Sequence, residues 1–226
     1  MSASPTARKR RRTASPSRQH RPGARPTLRA QKSAERRKAI LEAALDEFSR
    51  AGFAATRLDD VAARAGVAKG TIYLHFRDKE ELFQEIIRSM MTPQLDALVA
   101  LQDADAPVGA TLRRFAELFV NEVMATRRRD VMRLVIAEGP RFPAIAEFYY
   151  REVVARGVAA LKRVLQRGAE RGELAHKELA EFPQLVVAPA VLAIHWASLF
   201  QSFAPLDGAK MLEAHLRILL GEPGEP

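Results

Sequence analysis

The chain contains no cysteine. That removes disulfides, thiolate-bound zinc and thiol catalysis, and it suits a reducing compartment. Histidine is scarce: His20, His75, His176, His195 and His215 show no H-x3-H spacing and no nearby ladder of carboxylates. No metal and no other cofactor is expected. Long apolar runs are missing as well. The longest, Leu185 to Phe200, is 16 residues and includes His195 and Ser198, short of the ~20 that span a bilayer. The charged start has no apolar stretch of the kind a secretory leader needs. Its acid-free, Arg-rich character would suit a mitochondrial leader, but Pro5, Pro16, Pro22 and Pro26 would interrupt the amphipathic helix required. No membrane association and a cytoplasmic location are expected. No run alternates with period two, so no sheet is expected.

Acidic residues are absent from positions 1–32, which hold ten Lys and Arg. The other 26 basic residues are matched by all 27 acidic ones, so the net charge of +9 belongs to the first segment. Rich in Pro, Ser and Arg, and without apolar periodicity, residues 1–32 read as a disordered basic tail. Such a tail is either an arm on DNA phosphates or a solubilising extension.

With 47% apolar residues, the rest can build a sizeable core. Ile40, Leu41, Ala44, Leu45 and Phe48 mark one face of a helix from Ser33 to Ala51, stopped by Gly52. Thr56 is placed to cap a second helix, with Leu58, Val61, Ala62 and Ala65 inward and Gly66 as the turn. A third helix runs from Lys69 to His75, with Ile72 and Phe76 inward. Asp78 caps a fourth, with Glu81 at the capping-box position, and Pro93 is expected to kink or restart it. Helices are also expected from Val108 to Thr126, Asp130 to Ala137, Pro143 to Arg171, Glu181 to Phe203 and Leu206 to Leu220. The fold class is all-α, about nine helices. A three-helix head at 33–92 would precede a larger helical body at 93–221.

Gly66 to Phe76, GVAKGTIYLHF, is the most informative stretch. Helix, Gly-centred turn and second short helix make a helix-turn-helix over about 57–76. Lys69, Thr71, Tyr73 and His75 are more polar groups than a helix that only packed would need. A helix in a major groove needs them, since phosphates and base edges must both be met. Gly70 would keep the helix backbone close to the DNA. Lys79, at the start of the fourth helix, is a candidate phosphate contact; its bland alternative is a solvated charge. Asp59-Asp60 and Glu80-Glu81 are helix-start charges rather than paired catalytic carboxylates, because adjacent helical residues diverge by about 100°.

TRLDDVAARAGVAKGTIYLHFRDKEEL, Thr56 to Leu82, closely resembles the DNA-binding motif of the TetR/AcrR transcriptional regulators. The first helix also fits, so the resemblance covers roughly Ala34 to Met91 and is only topological beyond. Two positions depart from it. Arg57 stands where Thr is frequent, adding reach for a phosphate or base. Ala68 replaces a Ser cap at the third helix, and Ala is a poor cap. The resemblance implies a ligand-responsive regulator, most often a repressor, that binds a palindromic double-stranded operator as a homodimer. It implies a phosphate contact for Tyr73 and a small-molecule effector in the body. The expected DNA-binding residues are Thr56, Arg57, Lys69, Gly70, Thr71, Tyr73, His75 and Lys79.

The body is less legible. Phe115, Phe119, Phe148, Tyr149, His195 and Trp196 are candidates for a largely apolar effector pocket, although aromatics at helical spacing are more often core. His195 could anchor an effector, bond across a dimer seam, or simply bond a backbone carbonyl. The helices 181–203 and 206–220 are the expected dimer helices, with Ile194 and Leu199 as interface positions, because an all-round apolar helix must be buried. No convergent nucleophile, base and orienting group is present, so no catalytic residues are assigned and an enzyme is the remote alternative. A non-specific architectural DNA binder acting through its tail is the nearer one.

Overall fold

A computed structural model describes residues 28–103 and 105–222. The tail at 1–27 lies outside the described residues. The first helix, α1 (Leu28–Ala55), begins within the segment expected to be tail. Leu28 to Lys32 are good helix formers that follow the last proline of that segment, and they extend the helix N-terminally. At Gly52 the backbone turns to φ 78° and ψ 164°, a region open to glycine at little cost. The helix therefore bends here instead of ending, and one further turn carries Phe53 into the core.

The remaining head helices are α2 (Leu58–Arg64) and α3 (Lys69–His75). Gly66, at φ 66°, makes the turn between them. Leu58, Val61 and Ala62 of α2, with Ile72 and Phe76 at α3, meet Ile40, Ala44, Leu45 and Phe48 of α1. The helix α4 (Lys79–Ala100) continues through Pro93 and does not restart there. Pro93 faces solvent, and Arg128 Nε donates to the Met90 carbonyl nearby at 2.7 Å. The expected 92/93 boundary thus lies inside an unbroken helix. Leu82, Phe83 and Ile86 of α4 complete the head core, and that core continues to Val131, Val135, Ile145 and Phe148 in the body.

The body contains α5 (Val108–Leu118), which runs on as a π turn, Phe119–Met124, and α6 (Arg128–Glu138). Next come α7 (Pro143–Tyr149), a π turn at Tyr150–Val154 and α8 (Ala155–Glu170). The last two helices are α9 (Gln184–Leu199) and α10 (Gly208–Leu220). Since α7, its π turn and α8 form one continuous rod, the described residues hold nine helices and no strand, as expected. A second core joins α5, α8, α9 and α10 through Leu112, Leu161, Leu165, Val186 and Leu216.

Candidate nucleic-acid interface

The head is held together by a buried carboxylate that the sequence reading did not single out. Glu47 on α1 accepts from Arg50 Nη2 at 2.6 Å and from Arg64 Nε of α2 at 2.5 Å. Both guanidinium groups, Arg50 first, hold its carboxyl below the usual range against the opposing effect of burial. The apolar spacing of α1 marks Glu47 only as a polar position; its burial depends on where α2 crosses.

Thr56 does not cap α2, whose cap position is Arg57, and it is turned inward. It is only 3% exposed, and its hydroxyl donates to the Gly52 carbonyl at 2.8 Å and lies 3.2 Å from the Glu47 carbonyl. The last carbonyls of a helix lack internal partners, and the single hydroxyl proton of Thr56 serves the nearer one, Gly52, at the α1 bend. Arg57 takes the position before α2, and its side chain is exposed. Its guanidinium has no ion pair among the described residues.

Ile72 and Phe76 seat α3 on the core, and the rest of the helix faces outward. Lys69 Nζ pairs with Asp59 Oδ2 of α2 at 2.7 Å. The Tyr73 hydroxyl donates to the other oxygen of Asp59 at 3.4 Å. The ammonium of Lys69 depresses the Asp59 pKa, and Asp59 raises that of Lys69. Thr71 and His75 are half-buried on the opposite flank, and Gly70 is exposed. Ala68 precedes α3 with no side-chain cap, as its methyl group requires.

At α4, Asp78 accepts from the Glu81 amide at 2.8 Å. Glu81 reaches one residue further back than a capping box would, and accepts from the Arg77 amide at 2.8 Å. Lys79 is drawn inward. Its ammonium donates to the carbonyls of Phe53 and Ala54 at 2.8 and 2.7 Å and lies 4.8 Å from the Phe53 ring centroid. It serves the end of α1, in place of the expected position toward a phosphate.

The expected effector residues divide among packing groups: Phe119, Phe148 and Tyr149 join the core shared with the head, Phe115 joins the second core, and His195 lines a separate cleft. Phe115 and Phe119 stack on each other with centroids 6.4 Å apart. Phe148 is core, with the guanidinium groups of Arg88 and Arg151 over its ring. Tyr149 packs beside it, and burial pushes its phenol well above the ordinary range. His195 Nδ1 bonds the Val191 carbonyl of its own helix at 2.9 Å, the bland alternative. Trp196 Nε1 donates to the Ala204 carbonyl at 2.6 Å and pins the turn after α9. Similar spacing along three helices could not show which core each ring joins.

On α9, Ile194 is 3% exposed and faces its own core, correcting its assignment to an interface. Leu185, Leu192 and Leu199, seven residues apart, are exposed, Leu199 by 60%. Ile218 of α10 is exposed too.

Two family models match the chain. Residues 40–86 match the model of bacterial regulatory proteins of the tetR family, and residues 110–217 that of the C-terminal domain of AefR-like transcriptional repressors. The HTH-type transcriptional repressor BepR of Brucella suis is 32% identical over 155 residues, 66% of this chain and 73% of BepR. The uncharacterized HTH-type transcriptional regulator YhgD of Bacillus subtilis is 51% identical over 59 residues, 26% of this chain. That match spans only 31% of YhgD. Among solved structures, the SmeT–triclosan complex superposes with a TM-score of 0.69 at 20% identity, covering 85% of this chain and 98% of that one. No helix among the described residues is long and apolar enough to cross a membrane.

Proposed function

The chain belongs to the TetR family of bacterial regulatory proteins, and from this we propose that it is a ligand-responsive transcriptional repressor, a cytoplasmic homodimer on a palindromic operator. The observation that carries the reading is the outward face of α3. Two side chains anchor the helix, and its two flanks present an ammonium, a phenol, a hydroxyl and an imidazole over about two turns. Lys69, Tyr73 and Arg57 supply phosphate contacts, and Thr71 and His75 reach base edges. A single seven-residue helix offers too few contacts for a long site, and a two-fold dimer doubles them. The leucine stripe of α9, with Ile218, supports the last two helices as the dimer surface.

The effector belongs between α4, α5 and α8. An apolar seam there, lined by Leu98, Leu112, Phe115, Leu161 and Val164, is packed to a free volume of about 10 Å³. Beside it a cleft of about 240 Å³ opens at Pro93, Gln94 and Glu122. Gln94 Oε1 is buried with no partner among the described residues, ready for one donor on a largely apolar molecule. A ligand that wedged the seam apart would push α4, whose first half is part of the head core. That is the route by which occupancy would change the spacing of two heads.

Selection of bound sequences from random DNA, followed by footprinting, tests the function. We expect one palindrome, protected in two successive major grooves. Uniform binding of all sequences would overturn the operator reading and favour a charge-driven DNA binder.

A further inference from the structure

Leu74 has a place in the interface that neither the motif nor the family match assigns. It is 85% exposed, more than any other large apolar side chain among the described residues. A lone exposed leucine is ordinary on a protein surface; the position of this one is not. Side chains advance by about 100° per residue around a helix. Leu74 therefore lies nearly opposite Ile72, the core anchor of α3, and Gly70 lies on the same outer line one turn earlier. Lys69 and Tyr73 occupy one flank, where Asp59 holds them. Thr71 and His75 occupy the other and are half-buried.

The line of α3 that reaches furthest into a groove thus carries a glycine and a leucine, with no side-chain donor or acceptor. A Cβ added at Gly70 would meet nothing within 4 Å. Packing within the protomer therefore makes no demand for glycine there, and the bare backbone leaves room for close approach by another molecule. A leucine cannot satisfy the ring nitrogens, carbonyls or amino groups of a base edge. The C5-methyl of thymine is the apolar feature that the major groove presents. We infer that Leu74 is a specificity-determining residue that packs on the C5-methyl of one thymine in each operator half-site.

The inference rests on the operator reading and is tested on the selected operator with the full chain. Each thymine is replaced in turn by deoxyuridine, which removes the methyl and keeps every hydrogen-bonding group. Affinities are measured for the unsubstituted protein and for Leu74→Ala. Leu74 is outside the core, so the variant keeps the fold, which its melting curve verifies. At one thymine per half-site, loss of the methyl should weaken the unsubstituted protein by about fourfold, the effect of one methyl's burial. Replacement in both half-sites should give about the square of that factor. Leu74→Ala should bind thymine and uracil operators at that position equally. If no thymine shows this coupling, or if Leu74→Ala weakens both operators by one common factor, the inference is overturned while the operator reading stands. If selection yields no preferred sequence, both fall.

Discussion

At the scale of single residues, the head has already paired Lys69, the one cation of α3. Asp59 occupies Lys69 and Tyr73 through its two oxygens, so a DNA phosphate must displace a carboxylate before it gains an ammonium. Asp59→Asn should raise affinity for operator and random DNA alike. It should also steepen the fall of log affinity with log salt by about 0.9 per head, the contribution of one more phosphate contact. Titration of a half-site duplex at several salt concentrations checks this, and an unchanged slope would count against the competition. Adding Lys69→Gln should cancel the gain, because the released cation is then gone. Thr56 and Lys79 teach a complementary point. Both have the chemistry to meet DNA, and both serve the orphan carbonyls at the α1 bend. A polar side chain close to a helix end is claimed by the nearest unsatisfied backbone group.

At the scale of elements, α2 is bound to α1 through Glu47 and through the small apolar contacts around Ala62. The Glu47 pKa is lowered in the folded protein. A lowered folded pKa gives a contribution that is fully present above the ordinary value of 4.5 and lost as pH falls through the folded one. Glu47→Gln should therefore lower the melting temperature at pH 7, and the gap from the unsubstituted protein should narrow as pH drops below 4.5. A gap that stayed constant down to acid pH would show that packing rather than charge joins the two helices. Head and body meet at the same bend. The Phe53 amide donates to Glu138 Oε1 at the end of α6 at 3.0 Å, and a Cβ at Gly52 would come within 2.8 Å of that oxygen. Gly52 is thus required by its positive φ, while the carboxylate over it is the far end of a flexible side chain and can shift.

At the scale of the whole molecule, the protomer is left with a seam of apolar surface. Leu185, Leu192 and Leu199 follow one line of α9 and have no partner in the protomer core, whereas Ile194 on the opposite side does. Leu192→Asp and Leu199→Asp should keep the helical content and give monomers in sedimentation at micromolar concentration. A buried, unpaired carboxylate costs about 3–5 kcal/mol, enough to remove most dimers of ordinary affinity. Operator binding should weaken with them. Ile194→Asp should instead unfold the protomer. Dimers persisting in both leucine variants would place the interface elsewhere.

The sequence by itself determined the all-helical fold, the turn at Gly66, the register of α3 and its two anchors, because these depend on periodicity and on local backbone chemistry. Ile72 and Phe76 could be assigned inward from spacing alone, and so could Leu82, Phe83 and Ile86. Only the tertiary structure decided which polar groups remain free. Thr56 turned inward onto the α1 bend; Lys79 settled on Phe53, Asp59 took Lys69 and Tyr73, and Glu47 took Arg64, each through a residue 10 to 26 positions away. It also separated Phe115, Phe148 and His195, which one-dimensional spacing had grouped. A helix pattern fixes which way a side chain points from its own axis. What it meets there depends on how the axes cross, and that is set by the packing of all the helices together.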